Sequence, residues 1–369
     1  MFNLIRWINT IYAKKFDFKA PSEPYTPPAW LGDEEDTYLK YENFIIPFAQ
    51  DAQEAISEDF ITSLDEVIDE IVMLLPPCPH ESLCIDTQDV FKGMVFGDMY
   101  GQPYECVRSK ATAYNVHDVA MPKLGNWTDD TAMTMATYHA VQEIMQSGYI
   151  KSDAAKVFKD TYRAMARKYP YAGYGGHFYD WAILGIDDPH YMSCGDGSAM
   201  RSGIIGAITP GVRMCVLLSM ISALPTHAHP EGIKGAVCTA VMTYYAAHGA
   251  DKKLLKDIAL IFYPHGARTI GQYNNDPEYA YFAPDLTLEE IIELYPRTLG
   301  VTCQIAVPLA ISLFLLSDSY EDFIKHLTQL PMDADTVGAI AGGMMMAWWQ
   351  ISAKQVFENA IDHLELPNM

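Results

Sequence analysis

Trp127-Thr128-Asp129-Asp130-Thr131 is followed by Met133, Ala136, Tyr138, Val141, Ile144 and Met145, with Gly148 behind them. That spacing is helical, and the glycine is a stop signal. Far down the chain, Asp333-Ala334-Asp335-Thr336 repeats the arrangement, ahead of Ile340, Met344, Ala347, Trp348 and Ile351. Thr and Asp cap the free N–H groups of a helix start, and the positive end of the helix dipole keeps a carboxylate ionised. Taken singly, each cluster is an ordinary N-cap. Taken together, two clusters of hard oxygen donors suit Mg²⁺ or Mn²⁺ rather than zinc.

Outward from these stretches the chain reads as a procession of helices. Thr87 opens one, with Val90, Phe91, Met94 and Val95 on one side, and Gly93 and Gly97 four apart permit close backbone approach. Asp153 to Lys168 is helical and stops before Pro170; Pro230 opens a helix to about His248. Thr287-Leu-Glu-Glu290 is a capping box. Thr302 to Leu316 is apolar, with Pro308 expected to bend it, Ser319 caps another helix, and Ala353 to Leu364 forms the last. No alternating strand pattern and no solenoid period appears. The expected fold is therefore all-α, a many-helix domain over residues 86–369 behind an N-terminal extension, residues 1–85. In that extension, residues 1–20 are apolar and basic, and fit a helix packed on the body, a membrane-surface helix or a docking arm. Pro21, Pro24, Pro27 and Pro28 mark an extended linker. Asp51 to Leu75 is helical by the spacing of Ile56, Phe60, Ile61, Leu64, Val67, Ile68 and Ile71, and ends at Pro76, Pro77 and Pro79.

The 369 residues are half hydrophobic, enough for a sizeable core. No apolar run reaches the roughly 18–20 residues of a bilayer span, and Met1 to Lys15 is too polar for a signal peptide. Seven cysteines, an odd count without CxxC spacing, point to free thiols and a cytoplasmic location. Cys78-Pro-His80 with Cys84 resembles half a zinc site, but no second half is present. The net charge of −22 argues against nucleic acid as the main ligand, and no membrane partner is expected. Residues 30–90 hold sixteen Asp or Glu and a single Lys. The plainer reading is a solvated face; the other is a surface that steers a basic protein partner. The regular helical core is expected to be a monomer.

Four loops carry the chemistry. Gly97-Asp98-Met99-Tyr100-Gly101-Gln102-Pro103-Tyr104-Glu105 reads as a rigid turn ending in a carboxylate. The second and fourth are the two Thr/Asp clusters. The third joins Gly173-Tyr174-Gly175-Gly176 to Gly195-Asp196-Gly197-Ser198-Ala199-Met200-Arg201, where glycines let backbone N–H groups approach a phosphate or ribose. Thr226-His227-Ala228-His229-Pro230-Glu231 adds two imidazoles at a helix mouth.

At these residues the sequence resembles the ADP-ribosylglycohydrolase family, all-helical enzymes that remove ADP-ribose from modified proteins. The resemblance covers roughly residues 86–352. It includes the GD-x-x-G-x-x-x-E loop, W-T-D-D-T-x-M and the G-Y-G turn with Phe178 and Trp181 behind it. G-x-G-S-A-M-R, T-H-x-H-P-E-G-I-K-G-A, C-Q-x-x-V-P-x-A from Cys303 and D-x-D-T-x-x-A-I-A-G continue it.

The resemblance implies a two-Mg²⁺ site, with Mn²⁺ as a possible occupant. Its ligands would be Thr128, Asp129 and Asp130 from one helix start and Asp333, Asp335 and Thr336 from the other. Glu105 would sit beside the metals and, with Asp129 and Asp335, handle catalysis. Tyr174, Gly175, Gly195, Asp196, Gly197, Ser198 and Met200 would hold the distal ribose and pyrophosphate, with His227 lining the same pocket. Arg201 would be a phosphate anchor or, equally, a structural ion pair behind the loop. Two hard cations about 3.5–4 Å apart can hold hydroxyls and activate a water against an oxocarbenium-like centre.

The family includes arginine- and serine-linked specificities, and the turns at 173–175 and 195–201 look more like the arginine-directed side. Two departures stand out. The third loop usually reads G-N-G, where this chain has Asp196, and Pro331-Met332 replace a common Gly-Gly. The extension resembles that of a bacterial branch in which the hydrolase is the immunity protein of an ADP-ribosyltransferase toxin, so residues 1–85 are expected to contact a basic toxin. The competing expectation is a catalytically weak or inactive binding protein that neutralises a toxin by occluding its active site.

Overall fold

The computed structural model describes residues 58–105, 121–148, 151–186, 193–263, 287–294, 301–330 and 333–351. The apolar arm and proline-rich linker of residues 1–57, Pro331-Met332 and the helix expected at 353–364 lie outside the described residues. The chain forms α1 (Glu58–Leu74), α2 (Thr87–Gly101), a 3₁₀ turn (Gln102–Tyr104), α3 (Asp129–Ser147) and α4 (Lys151–Lys168). After these come α5 (Gly176–Tyr179), a π turn (Asp180–Leu184), α6 (Gly197–Met200), α7 (Gly203–Ile208) and α8 (Val212–Ala223). The series ends with α9 (Pro230–Ala247), α10 (Lys252–Phe262), α11 (Leu288–Leu294), α12 (Cys303–Leu316), α13 (Tyr320–Leu327) and α14 (Ala334–Trp349). Among the described residues the only β pairing is a bridge between Gly195 and Thr302, so the all-α expectation holds.

Local signals set most of the boundaries. Asp86 accepts from Gln88 N at the start of α2, and Thr128 from Asp130 N at the start of α3. Gly148 ends α3 at φ 63°, a left-handed geometry suited to glycine. The capping box forms as expected: Thr287 N donates to Glu290 Oε2 at 2.8 Å, and Glu290 N donates back to Thr287 Oγ1 at 3.3 Å. Ser319 Oγ accepts from Asp322 N at 3.1 Å. Met145, placed on the apolar face by its spacing, is exposed, because α3 runs out into solvent over its last turn. Helices α8 and α10 lie in stretches for which the sequence suggested no element.

Two helices form the centre. From Ala334 to Ala347 every residue of α14 is buried, and α9 is nearly as enclosed. Such all-round burial is why neither shows a clean polar face. Helices α2, α12 and α13 surround α14, while α7, α8 and α10 pack on α9; α4 covers α3 from outside. Helix α1 joins the same core through Val67, Ile68 and Ile71, lying on α8, with Arg213 bridging Asp65 and Asp69 at the surface. The six described cysteines are free, none belongs to a three-ligand cluster, and no described helix is long and apolar enough to cross a membrane.

The tightest contact is between α2 and α14, which run antiparallel with small residues four apart on both. Gly93 faces Gly342, Gly97 faces Gly338, and Gly101 faces Ala334. A Cβ at Gly97 would fall on the carbonyl of Gly338, and one at Gly101 on the carbonyl of Ala334. Tyr320 of α13 closes the far end, donating its hydroxyl to Gly93 O at 2.5 Å. Gly97 and Gly101, expected in a turn, are therefore packing residues of a helix that runs unbroken to the 3₁₀ turn. Gly97→Ala should cost about 3 kcal/mol or more of stability, because backbone faces backbone and no side chain can move aside. Gly211→Ser, at an open position, should stay within about 0.5 kcal/mol of the parent. Urea unfolding of the two variants checks this, and equal midpoints would refute the close-packing account.

Candidate active site

The antiparallel stripe fixes where the functional side chains meet. It sets the C-terminal end of α2 beside the N-terminus of α14, and the N-terminus of α3 comes to the same place. Asp98 makes that junction. It is fully buried among Val95, Phe96 and Met99, and its carboxylate accepts from Thr128 N (2.9 Å), Thr131 N (3.2 Å), Thr128 Oγ1 (3.0 Å) and Thr131 Oγ1 (2.5 Å). Sequence reasoning passed over Asp98 as part of a turn. The available signal was a carboxylate among Val95, Phe96 and Met99, since a buried charge needs partners.

Asp130 Oδ2 accepts from Thr336 Oγ1 at 3.3 Å, linking the two helix starts, and lies 3.1 Å from Thr128 Oγ1, whose hydrogen goes to Asp98. Its Oδ1 is buried without a partner. The carboxylate oxygens of Asp98, Asp130 and Asp335 lie within 4.8 Å of one another, as do those of Glu105, Asp333 and Asp335. Asp335 therefore belongs to both groups. Of the six residues expected to hold a cation, Asp130 and Thr336 are joined directly, and Asp333 and Asp335 meet side chain to side chain. Asp129 is half-buried, and Glu105 is the exposed member.

Burial is the largest influence on each of these carboxyls, and repulsion from neighbouring carboxylates adds to it for all but Asp335. Asp129, Asp130 and Asp333 are raised well above the usual carboxylate range, first by burial and then by neighbouring carboxylates. Asp335 and Glu105 are also raised, and Asp98 and Asp196 are pushed up to about 7, in each case mainly by burial. The buried ion pair of the described core lies elsewhere, between Lys234 and Glu231 at 2.8 Å. A cluster of buried acids with unpartnered oxygens and hard donors only fits divalent cations bound by oxygen.

The glycine turns frame the opening. Gly173, at φ 110°, leaves only 3.4 Å between the site a Cβ would occupy and Asp129 Oδ1. Tyr174 next to it stacks on Phe178 (5.2 Å, 27°), which in turn meets Trp181. The Tyr174 hydroxyl is buried without a partner, and burial together with Asp129 raises its pKa. Gly175 caps α5 with its backbone only. Gly195 and Gly197 pack against the His227 ring, where Nε2 would lie 3.6 and 3.0 Å from added Cβ atoms. His227 Nδ1 pairs with Thr226 Oγ1 at 2.7 Å, and Thr226 Oγ1 accepts from Arg201 at 2.9 Å. The Thr226–Nδ1 bond, with either group donating, orients the ring so that Nε2 lies toward the turn.

Three residues assigned to the substrate sit behind the turn. Arg201 is fully buried, lies 4.2 Å over Tyr162 and donates to Ser222 O and Thr226. It forms neither the open phosphate anchor nor the ion pair expected of it; carbonyl, hydroxyl and ring take their place. Ser198 donates to Gly232 O at 2.8 Å, and Met200 is buried. All three brace the turn in this placement. His229, the second imidazole, caps α9 by accepting from Glu231 N; burial and Lys234 lower its pKa to about 4.

A sequence profile of the ADP-ribosylglycohydrolase family matches residues 88–358, and the chain belongs to that family. Hydrolytic removal of ADP-ribose, in general terms, comes with that membership. A solved structure of an ADP-ribosylglycohydrolase-related protein complex is similar at 19% identity and a TM-score of 0.49, covering 71% of this chain and 86% of that one.

The raised carboxyls make stability depend on pH. Folded protein stripped of metal holds more protons than the unfolded chain between the ordinary carboxylate range and about 7, so its stability falls as pH rises through that window. His227 and His229, lowered by burial, act oppositely, but only below about pH 6.5. Between about pH 6.5 and about pH 8 the carboxyls act alone, and the melting temperature in EDTA should fall. In excess Mg²⁺ the same step should raise it, since cation binding needs deprotonated ligands. A melting temperature in EDTA that rises over this step would refute the electrostatic account.

Proposed function

We propose that this ADP-ribosylglycohydrolase is a divalent-cation-dependent enzyme, served by two Mg²⁺ ions with Mn²⁺ as a substitute, that releases ADP-ribose from arginine side chains of modified proteins. The observation that carries the reading is Asp335, shared between two carboxylate groups at a helix start. Thr128, Asp129, Asp130, Asp333, Asp335 and Thr336 would hold the ions. Bound there, divalent cations supply a means of orienting sugar hydroxyls and polarising a water.

The chain's own residues do the rest. Tyr174 turns a buried, unpartnered hydroxyl toward the region of Asp129, suited to a sugar hydroxyl. His227 lies with Nε2 toward the 195–197 turn, kept neutral by burial, and would line the pocket beside the substrate. Glu105 is the exposed carboxyl of its group, and burial and Asp335 hold its proton to higher pH than a free glutamate keeps it. It is thus suited to protonate the leaving guanidine nitrogen as the bond to the anomeric carbon breaks. Asp129, half-buried under Gly173, faces the same opening and can take the proton that water loses as its oxygen bonds that carbon. The arginine linkage rests on the turns at 173–175 and 195–201.

The acidic run over residues 30–90 supports a further element: an antidote role against an ADP-ribosyltransferase toxin, with the N-terminal extension contacting a basic toxin face. On the competing reading, that contact alone neutralises the toxin and the pocket is idle. Release of ADP-ribose from an arginine-modified protein separates the two. Release should require Mg²⁺ or Mn²⁺, stop in EDTA, exceed release from a serine-linked substrate, and fall by ~10²–10³ in Asp335→Asn. Removal of residues 1–57, which spares α1, should weaken toxin binding by roughly tenfold at low salt and leave hydrolysis intact. No release from either substrate by metal-loaded protein would refute the enzyme reading.

A further inference from the structure

Asp196 stands at the start of α6 yet does not cap it: no N–H of that helix donates to its side chain, although capping is the ordinary use of Asp at such a position. The residue is 7% exposed, and its Oδ2 has no hydrogen-bond partner. Its carboxyl instead meets the side chain of Asp333 and feels Asp335 and Glu105 beyond it. An acid buried against other acids, with a free oxygen, destabilises the fold unless something positive arrives.

Among the described residues, the buried cations of this region have other partners. Lys234, the buried lysine of the next layer, is engaged by Glu231, and Arg201 is turned onto Tyr162, Ser222 and Thr226. Nor is the turn easily moved. Asp196 N donates to Val301 O at 3.3 Å, Gly195 bridges to Thr302, and the glycines on either side of Asp196 lie against the His227 ring. The backbone under Asp196 is held in place, and its carboxyl lies beside the Glu105–Asp333–Asp335 group, within a side-chain rotation of it.

We infer that Asp196 is a carboxylate of the cation site: in contact with Asp333 and with one oxygen unpartnered, it would give the ion held by Asp333 and Asp335 a further hard oxygen and a further negative charge. It would then serve the cation and not the ribose. Ligand charge count tunes the affinity of such sites, and a richer oxygen shell favours larger ions such as Mn²⁺ and Ca²⁺ over Mg²⁺. The inference rests on the cation-dependent reading of the site given above.

Titration of the EDTA-stripped full chain with Mn²⁺, with free ion counted by electron paramagnetic resonance, tests it without any activity assay. Asp196→Asn should bind one ion at least about tenfold more weakly than the parent, with Asp196→Glu recovering part of the loss. Unchanged or tighter binding by Asp196→Asn overturns the inference and leaves the cation-dependent reading standing. A parent that binds no Mn²⁺ overturns both. Melting curves give a second readout. In EDTA, Asp196→Asn should melt above the parent, because the variant removes an unpartnered acid, while its rise on adding Mn²⁺ should be smaller. A lower melting point in EDTA with an undiminished Mn²⁺ rise marks a merely structural residue and overturns the inference.

Discussion

The site depends on a contact that contains no functional group: the antiparallel approach of α2 and α14, backbone on backbone, through Gly93, Gly97, Gly101 and Ala334, Gly338, Gly342. Larger side chains would hold the axes further apart. Two consequences follow from the closeness. Asp98 comes near enough to the start of α3 to accept four hydrogen bonds from Thr128 and Thr131. The first turn of α14 also comes within reach of Asp130, so that Thr336 can donate across. Three helices from distant parts of the chain are thereby pinned at one point, by packing on one side and by Asp98 on the other.

What is pinned there is electrostatically unfavourable. The helix N-termini of α3 and α14 offer partial positive charge to the first-turn acids, but burial and mutual repulsion outweigh it, since each carboxyl is raised rather than lowered. Burial and crowding hold protons on the cluster to higher pH than free carboxylates keep them. The apolar packing that orders the site is thus also what leaves its acids short of counter-charge.

Much of this was legible in the sequence, and the parts that were not share a cause. The all-helical fold and the helix starts at Thr87, Thr128, Pro230, Thr287 and Ser319 could be read because capping and periodicity are local. The Thr/Asp clusters were legible because donor types and helix start lie within five residues. Half of the glycine stripe was visible at Gly93 and Gly97, but the partners on α14 were not, because the pairing of helices more than two hundred residues apart leaves no local trace. Reading Gly97–Glu105 as a turn hid Asp98, since glycines that serve packing and glycines that serve turns look alike in a string of letters. Arg201 misled for a related reason: an arginine after a glycine turn suggests a phosphate, and only burial on Tyr162 reveals a brace.

The placement of residues also divides the site's labour. Acids that would hold cations come from the starts of α3 and α14, whose relative position is set by close-packed core and by Asp98 of α2. Groups that would meet the sugar and phosphates, Tyr174 and the 195–197 turn with His227, come from turns that touch the cluster at few points, Gly173 over Asp129 and Asp196 beside Asp333. Turns tolerate substitution better than buried helix contacts do. A change of linkage specificity can therefore arise in the turns while the cation set stays intact, because the acids owe their geometry to the stripe and not to the loops. Asp196 is the exception: it lies on a turn but faces the acids, so a substitution there couples the two halves.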